Sequence, residues 1–385
     1  MLSLVSLFSG GGGLDLGLEA AGFHTLYASD IDEHSCKSLK ANKEKAKRAQ
    51  LPFLQKAEIV ENDITKIDAD DILRSTGLAR GELDMLAGGP PCQAFSIFGK
   101  RKGRDDPRGR LVDDYLRILV GLKPKAFIFE NVFGLLTIEN GTIFKEIVAR
   151  LSNPSDELSY KLSVHRCNAA DYGAPQFRDR IFIVGSLDGK AIEMPTRICA
   201  NPMANSHLLP WRTVSRGLTG LPVIGDADSL NHMGRKHSER IIERYSNMKF
   251  GERDHFTRIN RLDPNRPSYA IIVGSDAGGG KGHVHPYEAR EVTPRESARM
   301  QCFPDWWWFS GTSRHPIRQI GNAVPSLLGY AFGRTIAQDL FGIRPTSYVD
   351  AIDMLGQGHL FTKADLEFLA GFDRQDLSSP KKIAI

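Results

Sequence analysis

The sequence predicts an α/β fold: a mostly parallel sheet with helices on both faces, joined to a smaller and less regular part. Three observations predict it. Short apolar runs alternate with helix-like segments through the first half, the pattern of strands linked by crossover helices. The alternation breaks near Gly189, and from there to about Pro294 the chain is rich in Gly, Pro, Arg, Asn and His, with poor periodicity. Beyond it, 316-PIRQIGNAVPSLLGYAFGRTIAQDL-340 places Leu327, Leu328, Ala331, Phe332 and Ile336 behind Pro325. That is an amphipathic helix expected to return and pack on the first part.

In order, the runs read as strands are 2–8, 25–28, 59–60, 85–87, 126–129 and 181–184, and the helix-like segments are 14–21, 32–41, 110–122 and 143–151. A last helix is expected at 364–370, with Thr362 as its N-cap. The implied segments are 1–189, 190–291, the return segment 292–342, and an extension, 343–385. In a sheet of this kind ligands collect at the carboxyl ends of the strands.

Composition narrows the class. Hydrophobic residues at 41% and charged residues at 25% leave room for a full core without staples. Five cysteines, odd in number, widely spread and without a CxxC pair, argue against a zinc ribbon or a disulfide framework and for a reducing cytoplasm. No metal site is expected. No apolar run approaches a membrane span, and the start, MLSLVSLFSGGGG, lacks the positive n-region and cleavage site of a secretion signal. The net charge of +4 is small, but residues 197–299 hold 16 Lys and Arg against 11 Asp and Glu, so the surplus is concentrated there.

The stretch 7-LFSGGGGLDLGLEAAGF-23 reads as strand, glycine loop and helix. A dinucleotide fingerprint needs G-x-G-x-x-G; starting from Gly10 the third position is Asp15, and starting from Gly11 it is Leu16, which counts against NAD and FAD. The glycines still allow a ligand without a pyrophosphate to approach the backbone. Asp30 at the second strand end suits ribose hydroxyls, and Asp63 at the third suits an adenine amino group; a helix N-cap or a solvated acid is the alternative for each. Loop, acid and acid at successive strand ends suggest an adenosine cofactor such as S-adenosylmethionine.

In 88-GGPPCQAFS-96, Pro90 and Pro91 fix two φ angles and remove two amide donors, so Cys92 is held on a stiff turn at the fourth strand end. A thiolate there is a nucleophile; an inert, half-buried thiol is the alternative. The following 99-GKRKGRDDPRGR-110, six basic residues against two acids, is either solvated charge or a lid that contacts phosphates. Glu130 ends an apolar strand, where desolvation should raise its pKa and let it donate a proton; pairing with an arginine is the alternative. Arg178 and Arg180 alternate and so share a face, suited to an anion or a buried carboxylate. A thiolate that adds to C6 of a cytosine makes C5 nucleophilic, a carboxyl near N3 stabilises the charge shift, and the base must be everted to be reached. Cys92 and Glu130 meet those demands.

These residues resemble the bacterial cytosine-5 DNA methyltransferases. The resemblance is carried in order by FSGGGGLDLGLEAAGF (8–23), ASDID (28–32), NDITKI (62–67), GGPPCQAFSIFGKRKGRDDPRGRL (88–111), FENV (129–132), QFRDR (176–180), VTPRESARMQCFPD (292–305) and RQIGNAVPSLLG (318–329). It implies a Rossmann-like S-adenosylmethionine-dependent methyltransferase domain in 1–189, a target-recognition domain in 190–291, and completion of the catalytic domain by 292–342. It further implies catalytic roles for Cys92, Glu130, Arg178 and Arg180, and a cofactor pocket of Phe8, Ser9, Gly10, Gly12, Gly13, Asp30, Ile31, Asp63, Ile64, Pro91, Leu111 and Asn322. Ile31 departs from relatives that carry an aromatic there. Double-stranded DNA is the implied substrate, a restriction endonuclease of the same specificity a possible partner, and a monomer the implied state. Rival readings are an inactive DNA-binding module, a tRNA cytosine methyltransferase and an NAD oxidoreductase. Arg235, Arg240, Arg244, Arg258, Arg261 and Lys281 are candidate DNA contacts, with solvated surface as the alternative for each.

Overall fold

The computed structural model describes residues 1–91, 110–204, 206–226, 230–271, 273, 282–312 and 314–378. Cys92, most of the basic stretch after it, and Lys281 lie outside the described residues. The first half runs β1 (Leu2–Leu7), α1 (Gly13–Ala20), β2 (Phe23–Asp30), α2 (Glu33–Arg48), β3 (Glu58–Glu61), α3 (Ala69–Thr76), β4 (Met85–Gly88), α4 (Arg110–Leu122), β5 (Ala126–Val132), α5 (Thr142–Ser152), β6 (Lys161–Asn168) and β7 (Asp179–Ser186). These strands form one seven-stranded sheet in the order β3-β2-β1-β4-β5-β7-β6. Pairing is parallel from β3 through β5, while β7 is antiparallel to both β5 and β6.

Alternation along the strands divides the core. Phe127 and Phe129 face the side packed by α3, α4 and α5, where Ile72, Leu119 and Ile147 are buried. Ile128, Phe182 and Val184 face the other side, covered by α1 and by residues of the return segment. β6 was missed in the sequence because it is an edge strand: KLSVHRCN is mostly polar and partly exposed along its length.

The second half holds the short parallel pair β8 (Cys199–Ala200) and β9 (Leu209–Pro210), then α6 (Val214–Leu218), α7 (Glu239–Asn247), α8 (Pro294–Met300), α9 (Arg314–Asn322), α10 (Ser326–Asp339), α11 (Tyr348–Met354) and α12 (Lys363–Ser378). From α6 through α8 the apolar clusters are small: Val214, Leu262, Val292 and Met300 in one, Tyr245, Met248, Ile259 and Val284 in another. Order there comes instead from polar ties. The Arg261 guanidinium donates to the carbonyls of Tyr245, Ser246, Met248 and Pro286, at 2.9 to 3.3 Å. Such ties leave no periodicity in sequence. α8 opens with a capping box: Thr293 N–H donates to Glu296 Oε2 at 2.7 Å and Glu296 N–H to Thr293 Oγ1 at 3.2 Å.

The helix expected after Pro325 is α10, and it does pack on the first part. A Cβ on Gly17 of α1 would lie 2.3 Å from Ser326 O, and one on Gly13 would lie 2.2 Å from Val324 O. Glycine at both positions lets the two backbones touch. The rings of Phe182 in β7 and Phe332 in α10 stack at 3.9 Å. The extension also joins this core: Tyr348, Ile352, Leu355 and Leu369 are buried in it. Thr362 Oγ1 accepts Asp365 N–H at 3.1 Å, the N-cap the sequence predicts for α12, and Asp365 Oδ2 lies 2.8 Å from Arg212 Nη1. Among the described residues no helix is long and apolar enough to cross a membrane.

Candidate active site

The strand order reverses between β1 and β4, since the chain builds outward through β2 and β3 on one side and through β5 on the other. Register then decides which residues meet at that switch point. Leu7 is level with Ser29 on one side and Gly88 on the other, Gly88 is level with Phe129, and Asp30 is level with Glu61. The next residues, Phe8, Asp30, Gly89 and Glu130, therefore emerge together at the carboxyl edge, with Asp63 two residues beyond β3. This is the crevice where open α/β sheets bind ligands.

Phe8 has φ 55, a left-handed conformation that costs a bulky residue free energy and turns the chain sharply out of β1. Gly10 N–H donates to Asp30 Oδ2 at 2.8 Å, and Asp32 N–H donates to Asp30 Oδ1 at 2.8 Å. Desolvation pushes the Asp30 carboxyl up, against the pull of those two bonds. The glycines have distinct jobs. A Cβ on Gly10 would meet nothing nearer than Phe8 O at 3.9 Å, so this residue keeps a positive φ and an open face. Gly11 to Gly13 point inward instead: Trp307 Nε1 donates to Gly11 O at 3.0 Å, and a Cβ on Gly12 would come within 2.9 Å of the Trp307 ring.

Beneath the loop runs a chain the sequence reading did not find. Ser9 Oγ donates to Ser6 Oγ at 2.9 Å, and Ser6 Oγ donates to Asp15 Oδ1 at 2.6 Å. Burial pushes Asp15 up to about 7, helped by the nearby Asp30 charge and opposed by the Ser6 bond. The signal was present: Asp15 occupies the position where the fingerprint fails.

The other residues that the resemblance assigns to a cofactor pocket differ in surroundings and exposure. Asp63 accepts Thr65 N–H at 3.0 Å through Oδ1 and caps a short 3-10 turn, the alternative the sequence left open. Ile64 is buried and Leu111 half-buried, while Pro91 and Asn322 are exposed. Ile31 is 68% exposed, so it presents an apolar rim at the end of β2.

On the other side of the switch point, Arg180 is level with Val132 and Glu130 with Phe182, which makes Glu130 and Arg180 diagonal neighbours on one face. Arg180 Nε lies 2.7 Å from Glu130 Oε1 in an ion pair whose N–H is not aligned for a hydrogen bond. Burial raises the Glu130 pKa, and Arg180 and then Arg178 pull against it. A Cβ on Gly89 would come 2.7 Å from Glu130 Oε2, so any larger residue in the turn would displace the carboxylate. Asn131 Nδ2 donates to Pro90 O at 2.9 Å, tying that turn to β5. The two arginines separate in role. Arg178, 3% exposed, donates from Nη2 to Gly321 O at 2.5 Å and so fastens β7 to the return segment. Gln176, of the same motif, is fully buried, and its amide atoms have no hydrogen-bond partner among the described residues.

Cys36, Cys167, Cys199 and Cys302 are all buried, and burial pushes each thiol up, Cys36 and Cys199 to about 12. A nucleophile needs the thiolate, so these four are unsuited to that role. Among the described residues no His, Cys, Asp and Glu cluster could hold a metal.

The C-5 cytosine-specific DNA methylase family matches residues 2–338. The chain belongs to that family. It is a DNA (cytosine-5) methyltransferase by that membership and by its relatives. Type II methyltransferase M.AquIA of Picosynechococcus sp. is 38% identical over 255 residues, 63% of this chain and 97% of that protein. Type II methyltransferase M1.HphI of Haemophilus parahaemolyticus is 32% identical over 353 residues, 87% of this chain and 86% of that one. A solved structure assigned as a DNA modification methyltransferase encoded within an E. coli prophage superposes with a TM-score of 0.68 at 27% identity, covering 89% of this chain and all of the other. The α/β fold and the enzyme class expected from sequence are thus both found. An S-adenosylmethionine-type cofactor is what such a family implies.

Proposed function

We propose that this methyltransferase uses S-adenosylmethionine to methylate C5 of an everted cytosine in a specific sequence of double-stranded DNA, through a covalent bond from Cys92 to C6. The observation that carries the reading is the Glu130–Arg180 pair beneath the Gly89–Pro90 turn, one residue beyond the level of Leu7, where the chain leaves β1 for the glycine loop.

The pocket fits the cofactor. Gly10 leaves an open face on the loop, Asp30 offers a carboxylate fixed by two backbone N–H groups, and Asp63 stands at the next strand end. By the resemblance, Ser9, Gly12, Gly13 and Ile64 belong to the same site, as do Phe8, Ile31, Pro91, Leu111 and Asn322. When bound, S-adenosylmethionine supplies a methyl group made electrophilic by its sulfonium.

The chain's own residues do the rest. Cys92 adds as thiolate to C6, breaking the C5–C6 double bond. Glu130, whose raised pKa keeps a proton available, shares it with N3, so that the charge is neutralised and C5 becomes nucleophilic. Arg180 holds the carboxyl in place, and Arg178 anchors the strand that carries Arg180. After C5 is methylated, its proton passes to solvent water, the electron pair restores the C5–C6 double bond, and the Cys92 sulfur leaves as thiolate. The proton on N3 returns to Glu130.

The segment 190–291 is the target-recognition part in this reading, supported by its basic surplus. Two relatives named Type II methyltransferases support a place in a restriction–modification system, with an endonuclease of the same specificity as partner and the cytoplasm as the compartment.

The test is methyl transfer from labelled S-adenosylmethionine to genomic DNA, with RNA as the control, followed by sequencing for 5-methylcytosine. The expected result is one modified sequence motif, no transfer by Cys92→Ser, and a trapped adduct on DNA carrying 5-fluorocytosine. Full transfer by Cys92→Ser, or transfer to RNA alone, would overturn the reading.

A further inference from the structure

The segment 249-KFGERDHFTR-258 leaves two phenylalanine rings in solvent. Phe250 is 53% exposed and Phe256 74%. Single exposed apolar side chains are ordinary. These two differ in how they are held.

Phe256 sits at the tip of a small hairpin closed by a bridge between Arg253 and Asn260. Inside it, Asp254 N–H donates to Ile259 O at 2.8 Å and Arg258 N–H to Asp254 O at 2.9 Å. The buried Asp254 carboxylate accepts Thr257 N–H at 2.6 Å and lies 2.9 Å from Arg244 Nε. The tip is therefore tied from within, and Phe256 projects because Asp254 takes the inward position. Arg244, fixed by that contact, places its guanidinium 5.1 Å from the Phe256 ring centre. Arg261, fixed by four carbonyls, stands 5.7 Å from the Phe250 ring centre. Each exposed ring is backed by an arginine that is locked into the scaffold. Held this way, a ring loses little freedom when something packs on its outer face.

The surroundings select the partner. Lys249, Arg253, His255 and Arg258 are exposed, while Glu252 is the one exposed acid in the segment, Asp254 being buried. The hairpin is also linked to the active site. Ser268 bridges to Gln176 of the arginine motif, and the next residue, the partly exposed Tyr269, donates from its hydroxyl to Gly251 O at 3.5 Å. Basic residues around rigid apolar faces suit a polyanion that also offers apolar sugar and base-edge surface.

We propose that Phe250 and Phe256 are DNA contacts: the two rings pack on base and sugar surface of the duplex, while Lys249, Arg253 and Arg258 take phosphates. This rests on the reading that the chain acts on duplex DNA. It also removes Arg244 and Arg261 from the base-reading candidates and makes them supports of the rings.

The test uses the full chain and a labelled duplex carrying the methylated sequence, followed by anisotropy. The double variant Phe250→Ala/Phe256→Ala is expected to bind it about 10-fold or more weakly, with an unchanged melting temperature and unchanged affinity for S-adenosylmethionine. In Phe256→Trp, added duplex should change the emission beyond what the native tryptophans give. Unchanged affinity in the double variant, with wild type still methylating, would overturn the inference alone. A wild type that binds duplex through these rings yet transfers no methyl would overturn the functional reading alone, and a wild type that does not bind duplex would overturn both. Loss of self-association, seen by sedimentation, without loss of DNA affinity would make the rings a contact between copies and also overturn it.

Discussion

Asn131 Nδ2 donates to Pro90 O at 2.9 Å, so the strand that carries the acid also holds the turn that leads to Cys92. The same amide accepts Val132 N–H through Oδ1 at 2.9 Å, which leaves its orientation no freedom. One buried side chain thus ties Pro90 to the strand that carries Glu130, and in the proposed mechanism this couples the acid to the turn before the nucleophile. Asn131→Ala should lower kcat about 10-fold or more, because misplacing a reacting group by an ångström costs that much or greater, while leaving affinity for S-adenosylmethionine within a factor of two. Steady-state kinetics and calorimetric titration read the two separately. A variant that lost both equally would make Asn131 a general support of the fold instead.

Arg180 should matter for stability as well as for rate. Removing one partner of a buried pair leaves an uncompensated charge, at a cost of about 3–5 kcal/mol. The Glu130 pKa is already raised by burial, and Arg180 is the largest influence opposing that rise. In Arg180→Gln it rises further. An acid whose folded pKa exceeds its unfolded value binds more protons when folded, so stability falls as pH climbs from the unfolded value toward the folded one. The destabilisation of Arg180→Gln, read from thermal melts, should therefore be larger at pH 8 than at pH 5. Equal losses at the two pH values would mean that the ion pair does not govern Glu130.

Asp15 and Glu19 predict a pH dependence of the same sign elsewhere. Burial pushes each up to about 7, Asp15 against its bond from Ser6 and Glu19 against N–H bonds from Thr25 and Leu54. Between about pH 4 and 7 the folded state holds these protons and the unfolded chain releases them. Stability should fall across that window and level off above it. Asp15→Asn, which still accepts from Ser6, should flatten the slope measured by melting from pH 5 to 8, and Glu19→Gln should flatten it again. A slope untouched by both changes would refute the assignment.

Much of this was legible because it is written in local patterns. The apolar runs became β1 to β5 and β7, and the helix behind Pro325 became α10. Glu130 could be singled out because a carboxyl closing an all-apolar strand has few ordinary explanations. Other parts were hidden for stated physical reasons. β6 is an exposed edge whose side chains need not alternate. Arg261 looks like a DNA contact in sequence, since nothing local announces carbonyls 13 to 25 residues away. Gly13 reads as a ligand glycine in sequence, whereas Gly13 and Gly17 abut Val324 O, just ahead of α10, and Ser326 O, at its start, some 310 residues later. A run of glycines cannot itself say which side is approached.

That division of labour within the glycine run can be separated by substitution. A Cβ on Gly13 would sit 2.2 Å from Val324 O, a backbone atom with no room to yield, whereas one on Gly10 would meet nothing within 3.8 Å. Gly13→Ala should push the return segment off α1 and give protein that is insoluble or melts far below wild type. Gly10→Ala should fold, losing about 1–2 kcal/mol for an alanine at φ 53. Its main defect should be weaker binding of S-adenosylmethionine, since the methyl enters the open face of the loop and tilts the N–H that fixes Asp30. Melting curves and calorimetric titration of the two variants distinguish the cases. If Gly13→Ala folded normally and bound cofactor while Gly10→Ala bound it as wild type does, the loop would be neither the seat of the return segment nor the rim of the pocket.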